Sequence, residues 1–253
     1  MSGLAIDAVG NLYGTTRDGG SNNLGSVYQL TPNLDGSWTQ SLPYSFGSQS
    51  LDGTQPYAEV TLNAGNLYGT TFTGGAFGFG TVFKLSSGSG GAWTESVVYN
   101  FTGGRDQGNA VAAVWLDSAG DVFGTTPHQV GNNYGTAFML TPNADGSWSY
   151  KTLHAFGKIT GDAVSPESGL TADGTGHLFG TTSGGGTYNK GAVYELSRGA
   201  NGKWAEKVLV SLDSFESLPS TPPAVTLGRG HILYGVISSG GSSGYGVVFA
   251  VTP

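Results

Sequence analysis

The hexapeptide Asn11-Leu12-Tyr13-Gly14-Thr15-Thr16 is written again as Asn66-Leu67-Tyr68-Gly69-Thr70-Thr71, and its pattern returns at residues 121–126, 177–182 and, more loosely, 232–237. The glycines of these copies, Gly14, Gly69, Gly124, Gly180 and Gly235, are spaced by 55, 55, 56 and 55 residues. A fixed period of this length marks a chain made of one supersecondary unit copied in tandem.

Within a copy, residues 58–62 (Ala-Glu-Val-Thr-Leu) alternate and carry β-branched side chains, which predicts a first short strand. A turn follows, written Asn63-Ala64-Gly65, Asp117-Ser118-Ala119-Gly120 or Asp7-Ala8-Val9-Gly10, with residues suited to side-chain-to-backbone bonding and positive φ. The hexapeptide is the second strand. A glycine-bearing loop leads to a third, Gly80-Thr81-Val82-Phe83-Lys84-Leu85, whose opening glycine recurs at Gly25, Gly135, Gly191 and Gly246. A second turn, such as Asn33-Leu34-Asp35-Gly36-Ser37, precedes a fourth strand that opens on Trp38, Trp93, Trp148 or Trp204 and ends at Phe46, Phe101, Phe156 or Leu212.

Four antiparallel strands per period describe a propeller blade, because a lone four-stranded sheet buries neither face until it stacks on its neighbours. The prediction is an all-β fold: a five-bladed β-propeller with four-stranded blades of about 55 residues, forming a single domain. The blades are expected near 1–50, 51–104, 105–157, 158–212 and 213–253. The last blade lacks its outer strand, so the natural protein is expected to supply a tryptophan-led strand beyond one end of this chain.

Composition agrees with a packed β-protein. Glycine contributes 45 of 253 residues, yet 38% are hydrophobic, which excludes a flexible linker. A net charge of −7 without a Lys/Arg cluster argues against nucleic acid as a partner. No apolar run reaches the roughly 20 residues of a membrane-spanning helix, so membrane insertion is not expected. The chain has no cysteine, and its four histidines are too dispersed to give a zinc-ligand spacing, so neither a metal nor another cofactor is predicted.

The run Gly-Asn-Leu-Tyr-Gly-Thr-Thr, then Gly-Gly, then Gly-Thr-Val-Phe-Lys-Leu, clearest over residues 65–85, resembles the bacterial "GloVer" tandem repeat. The likeness extends over essentially the whole chain. It implies an exported protein, extracellular or attached to the cell surface, and it implies structural rather than chemical roles for the motif residues.

If shared residues serve the blade, function is best sought where one copy departs from the rest. Glu59 stands where the aligned copies have Gly3, Ala113, Gly169 and Ala224. A carboxylate there is expected at the mouth of the central channel. The loops from fourth strand to next first strand carry Asp52, Asp106 and Asp162, with Arg105 and Glu167 as additions peculiar to one copy. Their recurrence also suits a turn-forming role for the three aspartates. The third copy replaces the paired glycines after its second strand with Gln129-Val130, next to His128. Tyr57, Tyr134 and Tyr188 add aromatic surface of the kind on which sugar rings stack. His154, standing where other copies have Tyr44 and Tyr99, is read as packing.

Two functions fit. The first is an extracellular propeller that binds a glycan or another small ligand at the channel mouth or in clefts between blades, using Asp52, Tyr57, Arg105, Glu167, Tyr134 and Tyr188. The second is a carbohydrate-active enzyme, above all a glycoside hydrolase. There Glu59 would be the general acid, Asp106 or Asp162 its ionised partner and His128 an auxiliary proton carrier. A polysaccharide lyase built on His128 and a tyrosine is the weaker variant.

Overall fold

The computed structural model describes residues 3–127, 134–212, 223–238 and 240–253. The fold is all-β and belongs to the five-bladed β-propeller class, with five small antiparallel sheets in chain order. Four sheets have four strands each, and the fifth has three among the described residues. The first is Ala5–Ile6, Leu12–Thr16, Ser26–Pro32 and Trp38–Ser45; the second is Thr61–Asn63, Asn66–Thr70, Thr81–Ser87 and Trp93–Asn100. The third is Trp115–Leu116, Val122–Thr126, Thr136–Pro142 and Trp148–Ala155; the fourth is Thr171–Ala172, His177–Thr182, Ala192–Arg198 and Trp204–Ser211. The fifth is Thr226–Leu227, Leu233–Ile237 and Val247–Val251. The chain divides into two compact units, Met1–Val122 with Leu140–Ser149 and Phe123–Met139 with Tyr150–Pro253. Among the described residues no helix is long and apolar enough to cross a membrane.

Each letter of the repeated hexapeptide has a task in its sheet. The glycine pairs across the ladder with an aromatic residue of the third strand: Gly14 with Tyr28, Gly69 with Phe83, Gly180 with Tyr194 and Gly235 with Phe249. The far edge of the ring closes over the glycine, so that a Cβ on Gly69 would stand 2.5 Å from Phe83 Cζ, and one on Gly235 only 2.2 Å from Phe249 Cζ. No side chain fits beneath those rings. The first threonine reaches the next repeat: Thr15, Thr70, Thr125 and Thr181 donate through Oγ1 to the carbonyls of Ala58, Ala112, Ser168 and Pro223 at 2.7 to 3.0 Å. The second threonine pairs across its own sheet, Thr16 with Ser26, Thr71 with Thr81 and Thr126 with Thr136. Buried polar groups are thus satisfied by residues that recur with the repeat.

The first strands are shorter than the alternating pattern predicts. The second begins at Thr61 instead of Ala58, and the Ala58 carbonyl is taken by Thr15 of the preceding repeat. The loops before the first strands also carry order that periodicity does not announce. Gly53–Thr54 pairs with Thr73–Gly74, and Ala163–Val164 with Gly184–Gly185, in separate two-stranded ladders. Beside them Gln55, Asn109 and Ser165 share one repeat position and all adopt positive φ, between 51° and 58°. Their amides donate back to the previous repeat, to the carbonyls of Leu24, Phe79 and Tyr134. That clasp sets the recurring glycine at the mouth of the third strand: Gly25 has φ +101° and a Cβ there would meet Pro56 Cδ at 2.5 Å.

The core follows the ladder. In the first unit Tyr13, Val27, Phe46, Val60, Leu67, Phe83 and Leu85 form one buried cluster. Phe46 sits edge-on to Phe83 at 5.1 Å, and in the second unit Phe156 meets Tyr194 in the same way at 5.0 Å.

Candidate functional site

The fourth strand ends beside the loop that starts the next repeat, and each such junction gathers polar groups that the linear sequence keeps apart. At the first junction the Tyr44 hydroxyl donates to Asp52 Oδ2 at 2.8 Å, joined there by the amides of Gly47 (2.7 Å) and Ser48 (3.2 Å). At the second, Asp106 takes the Tyr99 hydroxyl at 2.9 Å, the Thr102 amide at 2.9 Å and the Thr102 hydroxyl at 2.8 Å. At the third, Asp162 Oδ2 accepts the Lys158 amide at 2.8 Å. The aspartates are all buried, and in each case a loop four or five residues long folds back to supply the donors.

A second carboxylate enters from the fourth strand of the following repeat. Glu95 is buried against Asp52; burial first, and the Asp52 charge second, push its pKa up from 4.5 to about 7. One oxygen of each, Asp52 Oδ1 and Glu95 Oε1, is buried without a hydrogen-bond partner. Glu206 occupies the equivalent place in the second unit, its side chain 5% exposed. Burial pushes it to about 7, with the carboxylate of Asp162 adding to the rise and His154 opposing it. Burial also works against ionisation of Asp162, but hydrogen bonding with Glu206, the Lys158 amide and the charge of His154 hold its pKa below the usual carboxylate value.

The third junction differs from the first by one replacement. His154 stands where Tyr44 stands, edge-on to Phe156 at 4.8 Å just as Tyr44 is to Phe46 at 5.2 Å. Its Nε2 lies 3.0 Å from Glu206 Oε2 and 3.8 Å from Asp162 Oδ1, without the alignment a ring N–H hydrogen bond needs. The three groups border a cleft of about 340 Å³, lined also by Lys158, Ile159, Thr160 and Trp204. Its size lies at the lower end of the range for small-molecule sites.

The remaining predicted residues are placed as follows. Glu59 is half-buried, and its carboxylate fills the space beside Gly3: a Cβ there would fall 1.7 Å from Glu59 Oε2. Two residues earlier, Tyr57 is 37% exposed, with the Arg17 guanidinium 5.0 Å over its ring and Phe72 edge-on at 5.2 Å. Glu167, at the position of Tyr57 in its own repeat, accepts the Ser183 hydroxyl at 3.3 Å, and burial raises its pKa. Arg105, Tyr134 and Tyr188 are exposed. His128 lies outside the described residues. Asp162 is thus gathered with His154, which the sequence places in packing, and with Glu206, which the sequence does not single out. The signal was present in three aligned columns: Tyr44/Tyr99/His154, Asp52/Asp106/Asp162 and Glu95/Tyr150/Glu206.

A family model described as the Gloeobacter/Verrucomicrobia repeat matches residues 1–249. Among solved structures, a glucose dehydrogenase is 12% identical with a TM-score of 0.56, over 99% of this chain and 81% of that one. An endo-arabinase from Bacteroides thetaiotaomicron is 14% identical with a TM-score of 0.47, over 99% of this chain and 92% of that one. At 12% identity the likeness to the glucose dehydrogenase speaks to the fold alone. None of the curated proteins matches the chain.

Proposed function

We propose that this chain, which belongs to the Gloeobacter/Verrucomicrobia repeat family, is an extracellular binding protein that takes a glycan in the cleft beside Trp204. The observation that carries the reading is the make-up of that cleft: an indole, two carboxyl groups, an imidazole, Lys158 and the Thr160 hydroxyl around about 340 Å³. An aromatic face accepts the C–H surface of a sugar, while carboxylates and hydroxyls take its O–H groups. Related junctions elsewhere in the repeat would add weak sites that act together through effective concentration. Tyr57, held between Arg17 and Phe72 with Glu59 close by in sequence, offers a second sugar-facing surface.

A glycoside hydrolase is the second reading, favoured by one observation. Glu206 is pushed to about 7 while Asp162 is held low, which is the division between an acid and an ionised partner. The ligand oxygens of the two carboxyl groups lie within 4.8 Å of each other, however, which is closer than the roughly 5–5.5 Å separation of a retaining pair. The similar pair at Asp52 and Glu95 also speaks for a role tied to the repeat. Binding is therefore preferred.

The test is a panel of polysaccharides assayed for retention and for released reducing ends, with the native protein, Trp204→Ala and Glu206→Gln. The binding reading expects retention without turnover, weakened at least tenfold in Trp204→Ala. Turnover abolished in Glu206→Gln would replace it with the hydrolase, and retention unchanged in both variants would reject this cleft.

A further inference from the structure

We propose that His154, Asp162 and Glu206 form a binding site for one divalent transition-metal ion of the zinc type, a property that stands whether or not a glycan enters the cleft. The ligand atoms of the three side chains all lie within 4.8 Å of one another. Two ligands on one zinc ion, each about 2.0–2.2 Å from it, sit roughly 3.3–3.6 Å apart, so small side-chain rotations bring the set together. Each carboxylate is already anchored by one oxygen and offers the other. Asp162 Oδ2 holds the Lys158 amide and leaves Oδ1 3.8 Å from His154 Nε2. Glu206 Oε1 accepts the Ala163 amide at 3.3 Å and leaves Oε2 3.0 Å from the same nitrogen. Backbone donors that orient ligating carboxylates in this way are the usual outer support of a metal site.

The nitrogen at the centre of this arrangement is the second observation. His154 Nε2 is buried and makes no aligned hydrogen bond, so a ring nitrogen faces two carboxylate oxygens at 3.0 and 3.8 Å. A neutral imidazole and two carboxylates are a ligand set for zinc and its neighbours, whereas calcium prefers six to eight oxygens. The cleft leaves room for water to complete the coordination. The first junction supplies an internal control. It has the same Asp and Glu, as Asp52 and Glu95, but Tyr44 donates its hydroxyl to Asp52 and offers no ring nitrogen. Among the described residues the site at His154 is the only cluster with three convergent groups of this kind.

Linear spacing hid the set, because its members stand 8 and 44 residues apart. The decisive experiment is isothermal titration of the chelator-stripped protein with zinc chloride and, separately, calcium chloride, with no sugar present. The expected result is one zinc site and no calcium site. His154→Tyr restores the residue that Tyr44 and Tyr99 already accommodate, so it is expected to fold, as read by its far-UV spectrum and metal-free melting temperature, and to bind zinc at least 100-fold more weakly. Glu206→Gln should weaken it in the same direction. Tyr44→His should raise the stoichiometry from one to two. Absence of zinc binding at 100 µM by the native protein would overturn the assignment, and so would native affinity in both His154→Tyr and Glu206→Gln. Because the titration contains no glycan, neither result bears on whether the cleft takes a sugar.

Discussion

Replacing Glu95 by glutamine should abolish much of the loss of stability that this protein undergoes between about pH 5 and pH 8. Glu95 is only 8% exposed, and one of its oxygens is buried without a partner beside the carboxylate of Asp52. Burial and the Asp52 charge raise its pKa from 4.5 to about 7. The folded protein therefore keeps this proton to a higher pH than the unfolded chain does. Between the two values the folded state binds more protons, so the free energy of unfolding falls as pH rises. The contribution is fully present below about pH 4.5 and is lost as pH climbs through about 7. The rise from 4.5 to about 7, at ~1.4 kcal/mol per tenfold change in proton affinity, sets a ceiling of about 3.5 kcal/mol, and solvent screening reduces this to roughly 1–2 kcal/mol. The amide of the Glu95→Gln variant is neutral throughout and escapes the loss. Thermal unfolding at pH 5, 6, 7 and 8 should show native and variant close together at pH 5. At pH 8 the variant should melt about 2–8 °C higher, at the 2–4 °C per kcal/mol expected for a chain of this size. A residual slope remains in the variant, because Glu206 is raised in the same way. A melting difference that is the same at pH 5 and pH 8, or a variant that is less stable at pH 8, would refute the reasoning, since either would mean that Glu95 is ionised and well held.

Three further substitutions test the scaffold. Gly69→Ala places a methyl group 2.5 Å from Phe83 Cζ and should cost about 1–3 kcal/mol by overpacking, read as a lower urea midpoint; Gly36→Asn, where nothing lies within 4 Å of the new Cβ and only the positive φ of +83° opposes a side chain, should cost less, under about 1 kcal/mol, because Asn tolerates that region best. Thr70→Val removes the bond to the Ala112 carbonyl and leaves that buried acceptor unmet, a loss of about 1–3 kcal/mol that Thr70→Ser should largely restore, measured by the same unfolding curves. Asp173 has its pKa lowered because its bonds to Thr175 and His177 outweigh the opposing effect of burial. Its contribution is therefore present above the ordinary carboxylate pKa and lost as pH falls below it, and Asp173→Ala should lower the melting temperature more at pH 7 than at pH 2.

The fold was legible because every letter of the repeated stretch has a structural task that recurs. A glycine under a ring, a threonine bonded to the next repeat and a threonine bonded across the sheet can each be seen once in the structure and then found on the period, at Gly69, Thr70 and Thr71 and their counterparts. The first strands were read too long for the same reason in reverse. Alternation over residues 58–62 suggests a ladder from its first residue, but an acceptor used by Thr15 of the previous repeat is invisible to a pattern within one repeat.

The candidate site was harder to read because it is assembled from two repeats at once. His154 ends one blade, Asp162 opens the loop after it and Glu206 belongs to the next blade's fourth strand, where a lone glutamate resembles the solvated side of a sheet edge. A substitution in one copy meets partners inherited unchanged from the general pattern, as His154 meets the same Asp and Glu types that surround Tyr44. Tyrosine there completes an aspartate's hydrogen bonds, whereas histidine brings a nitrogen to two carboxylates. A single replacement at a junction can thus give a repeat protein a ligand set without disturbing a blade, and the columns to compare are those that face each other across the junction, not those that line up within a strand.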